Sequence, residues 1–183
     1  MSKNDLAFAL ERNFLASEFL TWLWFRCEVE GGVFDLPDGG VSVAVDDGLS
    51  LASWEEDGMK ASLRGGSPTL RPEAASALAS GLVLKKARMI VAKGTREWMF
   101  SLDGATLDLL GVKTADPDAE EEPEDALAEK LAAGEELREI VDALYDLFLQ
   151  LRLGRDWESL EVSRLRDWVR DKLAQAQALV GAA

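Results

Sequence analysis

The chain of 183 residues is 48% hydrophobic and 30% charged, which suits one domain with a sizeable core, with or without an appendage. A formal net charge of −14 disfavours general adhesion to nucleic acid or anionic lipid but leaves room for a local basic surface. Histidine is absent, which excludes catalysis by an imidazole base and zinc sites that need imidazole. A lone cysteine, Cys27, allows no intrachain disulfide, and no signal-peptide pattern opens the chain, so we expect a cytoplasmic protein.

The first predicted element is a core helix around the segment 14–28, FLASEFLTWLWFRCE. Asn4 or Asp5 can cap its start, and Gly31 with Gly32 ends it. Between Trp22 and Phe25 the helix is apolar on every side, so it must be enclosed by other elements. Its apolar part is shorter than the ~20 residues that a membrane span requires, so we expect no membrane association.

Residues 33–64 predict an antiparallel meander of short strands joined by tight turns. Apolar residues alternate in each strand, and the turns carry glycine and aspartate. The predicted strands are Val33–Leu36, Val41–Val45, Leu49–Ser53 and Met59–Leu63, with turns at Pro37–Gly40, Asp46–Gly48 and Glu55–Gly58.

A short helix follows, opened by Pro72 and closed by Gly81. Three more strands are predicted at 82–93, 96–102 and 106–112. We therefore expect an α+β fold, in which a curved antiparallel sheet of six or seven strands packs on the long buried N-terminal helix.

The segment Asp116–Asp125, DPDAEEEPED, combines two prolines with seven acids and predicts a solvated linker. Beyond it the chain predicts a C-terminal helical hairpin that turns at Gly154. The predicted organisation is a sheet domain over 1–115, a linker over 116–125 and helices over 126–183. The apolar stripe of these helices is predicted to comprise Leu127, Leu131, Leu137, Ile140, Val141, Leu144, Phe148, Leu151, Leu160, Val162, Leu165, Trp168, Val169 and Leu173.

One basic cluster stands out on the predicted strands 82–93 and 96–102. Its members could contact the phosphates of nucleic acid, or they could be solvated lysines that protect a sheet edge from aggregation. Strand alternation places Lys86 and Arg88 on one face and Lys85 and Lys93 on the other. The candidate DNA-binding residues are Lys85, Lys86, Arg88, Lys93 and Arg96.

Catalytic and metal-binding signals are weak. Asp46 with Asp47, and the acids at 55–57, lie at predicted hairpin tips, where acids are ordinary turn residues. No phosphate-binding glycine loop or nucleophile-elbow motif occurs. We therefore expect no enzyme activity, no cofactor and no metal.

The order of several segments resembles the RdgC family of recombination-associated proteins. The resemblance covers most of this chain but only the C-terminal part of a full family member, because the family's usual N-terminal region is missing here. A lysine that commonly follows the glycine after the short helix is replaced here by Leu82. The matching segments are EFLTWLWFRCE (18–28), TLRPE (69–73), ASGLVLKK (79–86), REWMFSLDG (96–104) and ALYDLFLQLRL (143–153).

This resemblance implies a non-catalytic, homo-oligomeric protein that binds duplex DNA without sequence preference and modulates recombination or replication. It also implies recombination proteins as partners and association with the nucleoid. The alternative function is a protein–protein adaptor that has lost DNA binding and works through the acidic linker and the helical tail, Glu135 to Leu173.

Overall fold

A computed structural model describes residues 15–53, 59–65, 69, 71–114 and 123–181 of the chain. The predicted start of the first helix before Leu15, the turn at 55–58 and the linker residues 116–122 lie outside the described residues. In chain order the elements are helix α1 (Ala16–Val29), strands β1 (Val33–Leu36), β2 (Gly39–Ala52) and β3 (Lys60–Arg64), helix α2 (Pro72–Ala79), strands β4 (Val83–Lys93), β5 (Arg96–Asp103) and β6 (Leu109–Thr114), helix α3 (Pro123–Arg152), a π-helix (Trp157–Glu161) and helix α4 (Val162–Gly181).

The strands form one six-stranded antiparallel sheet in the order β1-β2-β4-β5-β6, with β3 also paired to β2. Strand β2 is long enough to hold two neighbours on one side, β1 along its first residues and β3 along its last. Strand β4 covers its other side. The predicted α+β class, the antiparallel sheet and the C-terminal helix pair are confirmed, and the curvature of the sheet stays a prediction.

The predicted turn at Asp46–Gly48 is wrong, because β2 continues through it as a single strand. Val45 pairs with Met89 and Leu49 pairs with Ala87, so the three residues between them form a bulge in the β2–β4 ladder. Both flanking segments pair with the same unbroken neighbour, which the local turn signal could not reveal. An extra residue in one strand is the usual origin of such a bulge.

Helix α1 packs across β2 and β4 and forms the centre of the core, as predicted. Trp22 and Trp24 are fully buried. Ser17 donates a hydrogen bond from Oγ to the carbonyl of Gly104 at 2.8 Å. A side chain at Gly104 would lie 2.8 Å from both Leu20 Cδ1 and the Leu84 carbonyl oxygen, so glycine lets the helix approach the sheet closely.

The C-terminal helices complete this same core. Phe19 of α1 meets Tyr145 edge-on with ring centroids 5.2 Å apart, and Trp24 meets Trp168 edge-on at 5.2 Å. Helix α3 begins at Pro123, three residues inside the predicted linker. None of the helices in the described part of the chain is both long enough and apolar enough to span a membrane.

Some positions assigned to the apolar stripe are wrong. Leu127, Leu131 and Leu160 are 60%, 62% and 55% exposed. Leu127 and Leu131 lie near the start of a 30-residue helix that extends beyond the core. The helical spacing of apolar residues alone cannot show where along the helix the contact with the core begins. Met59 is likewise exposed and precedes β3.

Candidate nucleic-acid interface

The two faces of the sheet differ in their cover. On β4 the residues Leu84, Ala87, Met89 and Val91 are buried beneath α1. The alternate residues of β4 are half-buried and lie on the opposite face. Among the described residues the main helix contacts of the sheet are those of α1, so the described part of the chain leaves this opposite face accessible to a partner.

A groove of about 280 Å³ crosses this open face. Its cationic side chains come from two strands: Arg64 from β3, and Lys86 and Arg88 from β4. Register explains why they meet, because Ser50 of β2 pairs with Lys86 on one side and with Ser62 on the other. Three serines therefore lie among the three cations; they are Ser50, Ser62 and Ser101. Guanidinium, ammonium and hydroxyl groups are the common protein donors to phosphate oxygens.

One of the three cations already has carboxylate partners. Arg88 Nε lies 3.1 Å from Asp46 Oδ2, and its Nη1 lies 3.4 Å from Asp47 Oδ1. The bulge of β2 brings these acids to the groove, so their predicted role as turn residues is wrong. These pairs are partly exposed and therefore weak, about 0–1 kcal/mol each, so a phosphate can compete for Arg88.

The basic surface is confined to one part of the open face. Lys60 extends the basic surface along β3, because its side chain lies on the same face of the strand as that of Arg64. On β5, Asp103 lies directly opposite Lys86 in the β4–β5 ladder, and Glu97 lies on the same face at the other end of the strand. The cations of β3 and β4 therefore form a local cationic area and not a uniformly positive sheet.

The structure does not gather the other predicted cations into this groove. Lys93 and Arg96 lie at the β4–β5 turn, where their nitrogens approach the carboxylate of Glu136 on α3 at 3.4 and 2.7 Å. The hydrogen bond from Arg96 is the largest of the effects that lower the pKa of Glu136. Lys85 lies at the second register shift of the β2–β4 ladder, and its carbonyl accepts a 2.7 Å hydrogen bond from Gly104 N–H.

Of the five predicted residues, Lys86 and Arg88 share the groove, and sequence reasoning missed Arg64. The signal for Arg64 was present, since Lys60, Ser62 and Arg64 alternate with apolar residues on β3. What the sequence lacked was the pairing of β2 with β4, which places Lys86 beside Ser50 and so brings the cations of β3 and β4 together across β2.

The helical tail, which was the alternative site, uses much of its surface internally. Phe148 and Trp157 are buried, and Trp168 of α4 packs on Trp24 and Phe25 of α1. The carboxylate of Glu28 accepts hydrogen bonds from Trp24 Nε1 at 2.6 Å and Trp168 Nε1 at 3.0 Å. Deleting the tail would expose α1, so such a deletion cannot test the tail as a separate binding surface.

Other reactive chemistry is sparse in the part of the chain that the structure describes. No group of three or more potential metal ligands occurs there. Burial raises the pKa of the Cys27 thiol to about 12, with a smaller contribution from Glu28. The Cys27 sulfur lies 3.1 Å from the Val43 carbonyl as a hydrogen-bond donor, so the thiol is protonated at neutral pH.

These features define an α+β protein with a helix-covered sheet face and a small cationic groove on the opposite face. Comparisons of the chain with protein-family models, with curated proteins and with solved structures returned no match. The resemblance to the RdgC family therefore stays a prediction that rests on the sequence segments given above.

Proposed function

We propose that this protein binds duplex DNA without sequence preference, through phosphate contacts in the groove on the open face of the sheet. The observation that carries the proposal is the convergence of Arg64, Lys86 and Arg88 with three serines in one groove. Each neutralised phosphate releases counterions, so a few cations are enough for a salt-dependent attraction.

The shape of the groove favours backbone contact over base reading. Sequence readout in the major groove needs an inserted helix or a two-stranded ribbon. The groove instead lies on strands β3, β2, β4 and β5 within the body of the sheet. Contacts of this kind position DNA but carry no sequence information.

In this proposal the protein is non-catalytic and acts by occupying DNA that recombination or replication proteins would otherwise use. Association with the nucleoid and assembly into a homo-oligomer belong to the same proposal, because the family resemblance implies both. Sedimentation velocity with and without DNA measures the oligomeric state that binds.

The test is fluorescence anisotropy with labelled duplexes of unrelated sequence at several salt concentrations. Three phosphate contacts predict a slope of log K against log salt of about −2.7, or about fortyfold weaker binding from roughly 50 to 200 mM salt. Lys86→Glu should abolish binding at the higher salt. The matched control is Arg155→Glu, the same charge reversal at an exposed position in the turn before the π-helix.

Equal losses for both variants would show that net charge decides binding and not the groove. A salt-independent affinity, or no binding at low salt, would reject phosphate recognition altogether. Circular dichroism of each variant checks that the fold is retained.

A further inference from the structure

A second surface lies at the outer edge of the sheet. Strand β6 ends the strand order and pairs with β5 within the described chain. Residues Leu110 to Lys113 are all exposed, with Leu110 at 41% and Val112 at 39%. An exposed strand edge with apolar side chains is a ready template for another strand, and proteins usually protect such edges.

Helix α3 presents an apolar row beside this edge. Leu127, Leu131, Gly134 and Arg138 follow one another at helical spacing and so share one face of α3. Arg138 donates from Nη1 to the carbonyl of Leu107 at 2.9 Å, so this face turns toward the β5–β6 connection. A Cβ placed on Gly134 meets no described atom within 4 Å, which leaves this side of the helix open.

An added strand would meet apolar groups on both of its sides. Val112 and Thr114 are two residues apart, so their side chains lie on the same face of β6. Thr114 pairs with the buried Trp98, so this is the helix-covered face of the sheet. Leu110 pairs with Ser101 and lies on the open side. Alternate side chains of a new strand would therefore contact Leu110 on one side and Val112, with the apolar row of α3, on the other.

Charge restricts what such a strand can be. The segment that joins β6 to α3, residues 115–122, carries five acids, and Glu124 with Asp125 adds two more in the first turn of α3. Glu129 and Glu135 add exposed carboxylates along α3, and their charge is offset by the exposed Lys113 and Lys130. A second copy of this chain would bring two acidic segments together, and duplex DNA would be repelled, whereas a basic segment is attracted.

We propose that the edge patch, formed by Leu110, Val112, Leu127 and Leu131, binds a basic, extended segment of another protein that pairs with β6. The partner strand would carry alternate apolar side chains and lysines or arginines. Its backbone supplies the hydrogen bonds of strand addition, and its apolar side chains cover the patch. This surface is separate from the DNA groove and does not depend on it.

The probe is a synthetic peptide of alternating valine and lysine, titrated into the full chain labelled with ¹⁵N. We expect amide shifts concentrated in β6 and the first turns of α3. Two matched peptides serve as controls: one carries glutamate in place of lysine, and the other is N-methylated on the residues that face β6. Both should bind at least about tenfold more weakly, because they lose the charge attraction or the strand hydrogen bonds.

Leu131→Lys should weaken binding of the valine–lysine peptide by about tenfold or more, since it removes a leucine contact that binding would bury and sets a positive charge against the lysines of the peptide. Leu153→Lys is the control, since Leu153 is 81% exposed in the turn after α3. No binding at millimolar peptide, equal binding of the N-methylated or glutamate peptide, or an unchanged affinity of the Leu131 variant would overturn the proposal. Self-association that Leu131→Lys abolishes would overturn it in favour of a second copy.

Discussion

Truncation of Trp168 tests whether the C-terminal helices belong to the same cooperative unit as the sheet. Trp168 is 7% exposed and meets Trp24 and Phe25 edge-on, with ring centroids 5.2 and 5.7 Å away. Its Nε1 donates to Glu28 Oε2 at 3.0 Å. Trp168→Ala therefore removes a core aromatic ring and a charge-assisted hydrogen bond at once.

Removing a core tryptophan costs about 3–5 kcal/mol, a large part of the ~5–15 kcal/mol that stabilises a typical domain. With an m-value of about 2 kcal/mol/M, the urea midpoint should fall by about 2 M. The assay is urea unfolding followed by circular dichroism and tryptophan fluorescence on the same samples. Both signals should give one coincident transition before and after the substitution.

Two control variants separate the contributions. Trp168→Phe keeps most of the apolar contact but loses the hydrogen bond to Glu28, worth about 1.5–3 kcal/mol. Leu153→Ala, at an exposed position, should change the free energy of unfolding by less than about 0.5 kcal/mol. Two separate transitions, or a midpoint shift below about 0.5 M for Trp168→Ala, would refute the shared core and favour an independent helical tail.

Two further predictions concern a close glycine contact and an ion pair. Gly104→Ala should lower the free energy of unfolding by about 1–3 kcal/mol, because the new methyl group clashes with the Leu84 carbonyl oxygen. The matched substitution Gly134→Ala lies in open space within α3 and should raise the free energy of unfolding by about 0.5–1 kcal/mol. Equal effects of the two substitutions in chemical denaturation would contradict the close approach at Gly104. Arg96 lowers the pKa of Glu136, so this carboxylate stabilises the fold above its ordinary pKa of 4.5, and the stabilisation is lost as pH falls through the lowered value. Glu136→Gln should flatten that acid limb of the stability curve, and an unchanged limb would show that the pair does not stabilise the fold.

The sequence predicted those elements that depend on local periodicity. Apolar residues surround α1 near Trp22, so the sequence predicts that the helix is buried on every side. Apolar residues alternate along β5 around Trp98, so the sequence also predicts which face of that strand is buried. The bulge at Asp46–Gly48 was missed because turn chemistry and bulge chemistry use the same residue types. Which of the two forms depends on β4, a partner some 40 residues further along the chain.

The candidate groove was only partly predictable for a related reason. Lys86 and Arg88 are two residues apart on one strand, so alternation alone places them together. Lys93 lies in the same basic run, but α3 supplies Glu136 from a distant part of the chain and pairs it. Arg64 meets Lys86 because β4 pairs with the far side of β2, and neither of these long-range contacts leaves a trace in the local sequence.

The net charge of −14 is compatible with DNA binding because the charge is unevenly distributed. Residues 116–183 hold 18 acidic and 8 basic side chains, whereas the groove lies on strands of the first 115 residues. At physiological ionic strength charges separated by more than about 8 Å are largely screened, so acids far from the groove weaken a bound phosphate little. The same acids still act on approaching DNA when salt is low and screening is weak. Repulsion by the whole molecule therefore opposes the local attraction at low salt, and the measured salt slope should be shallower there than three phosphate contacts alone would give.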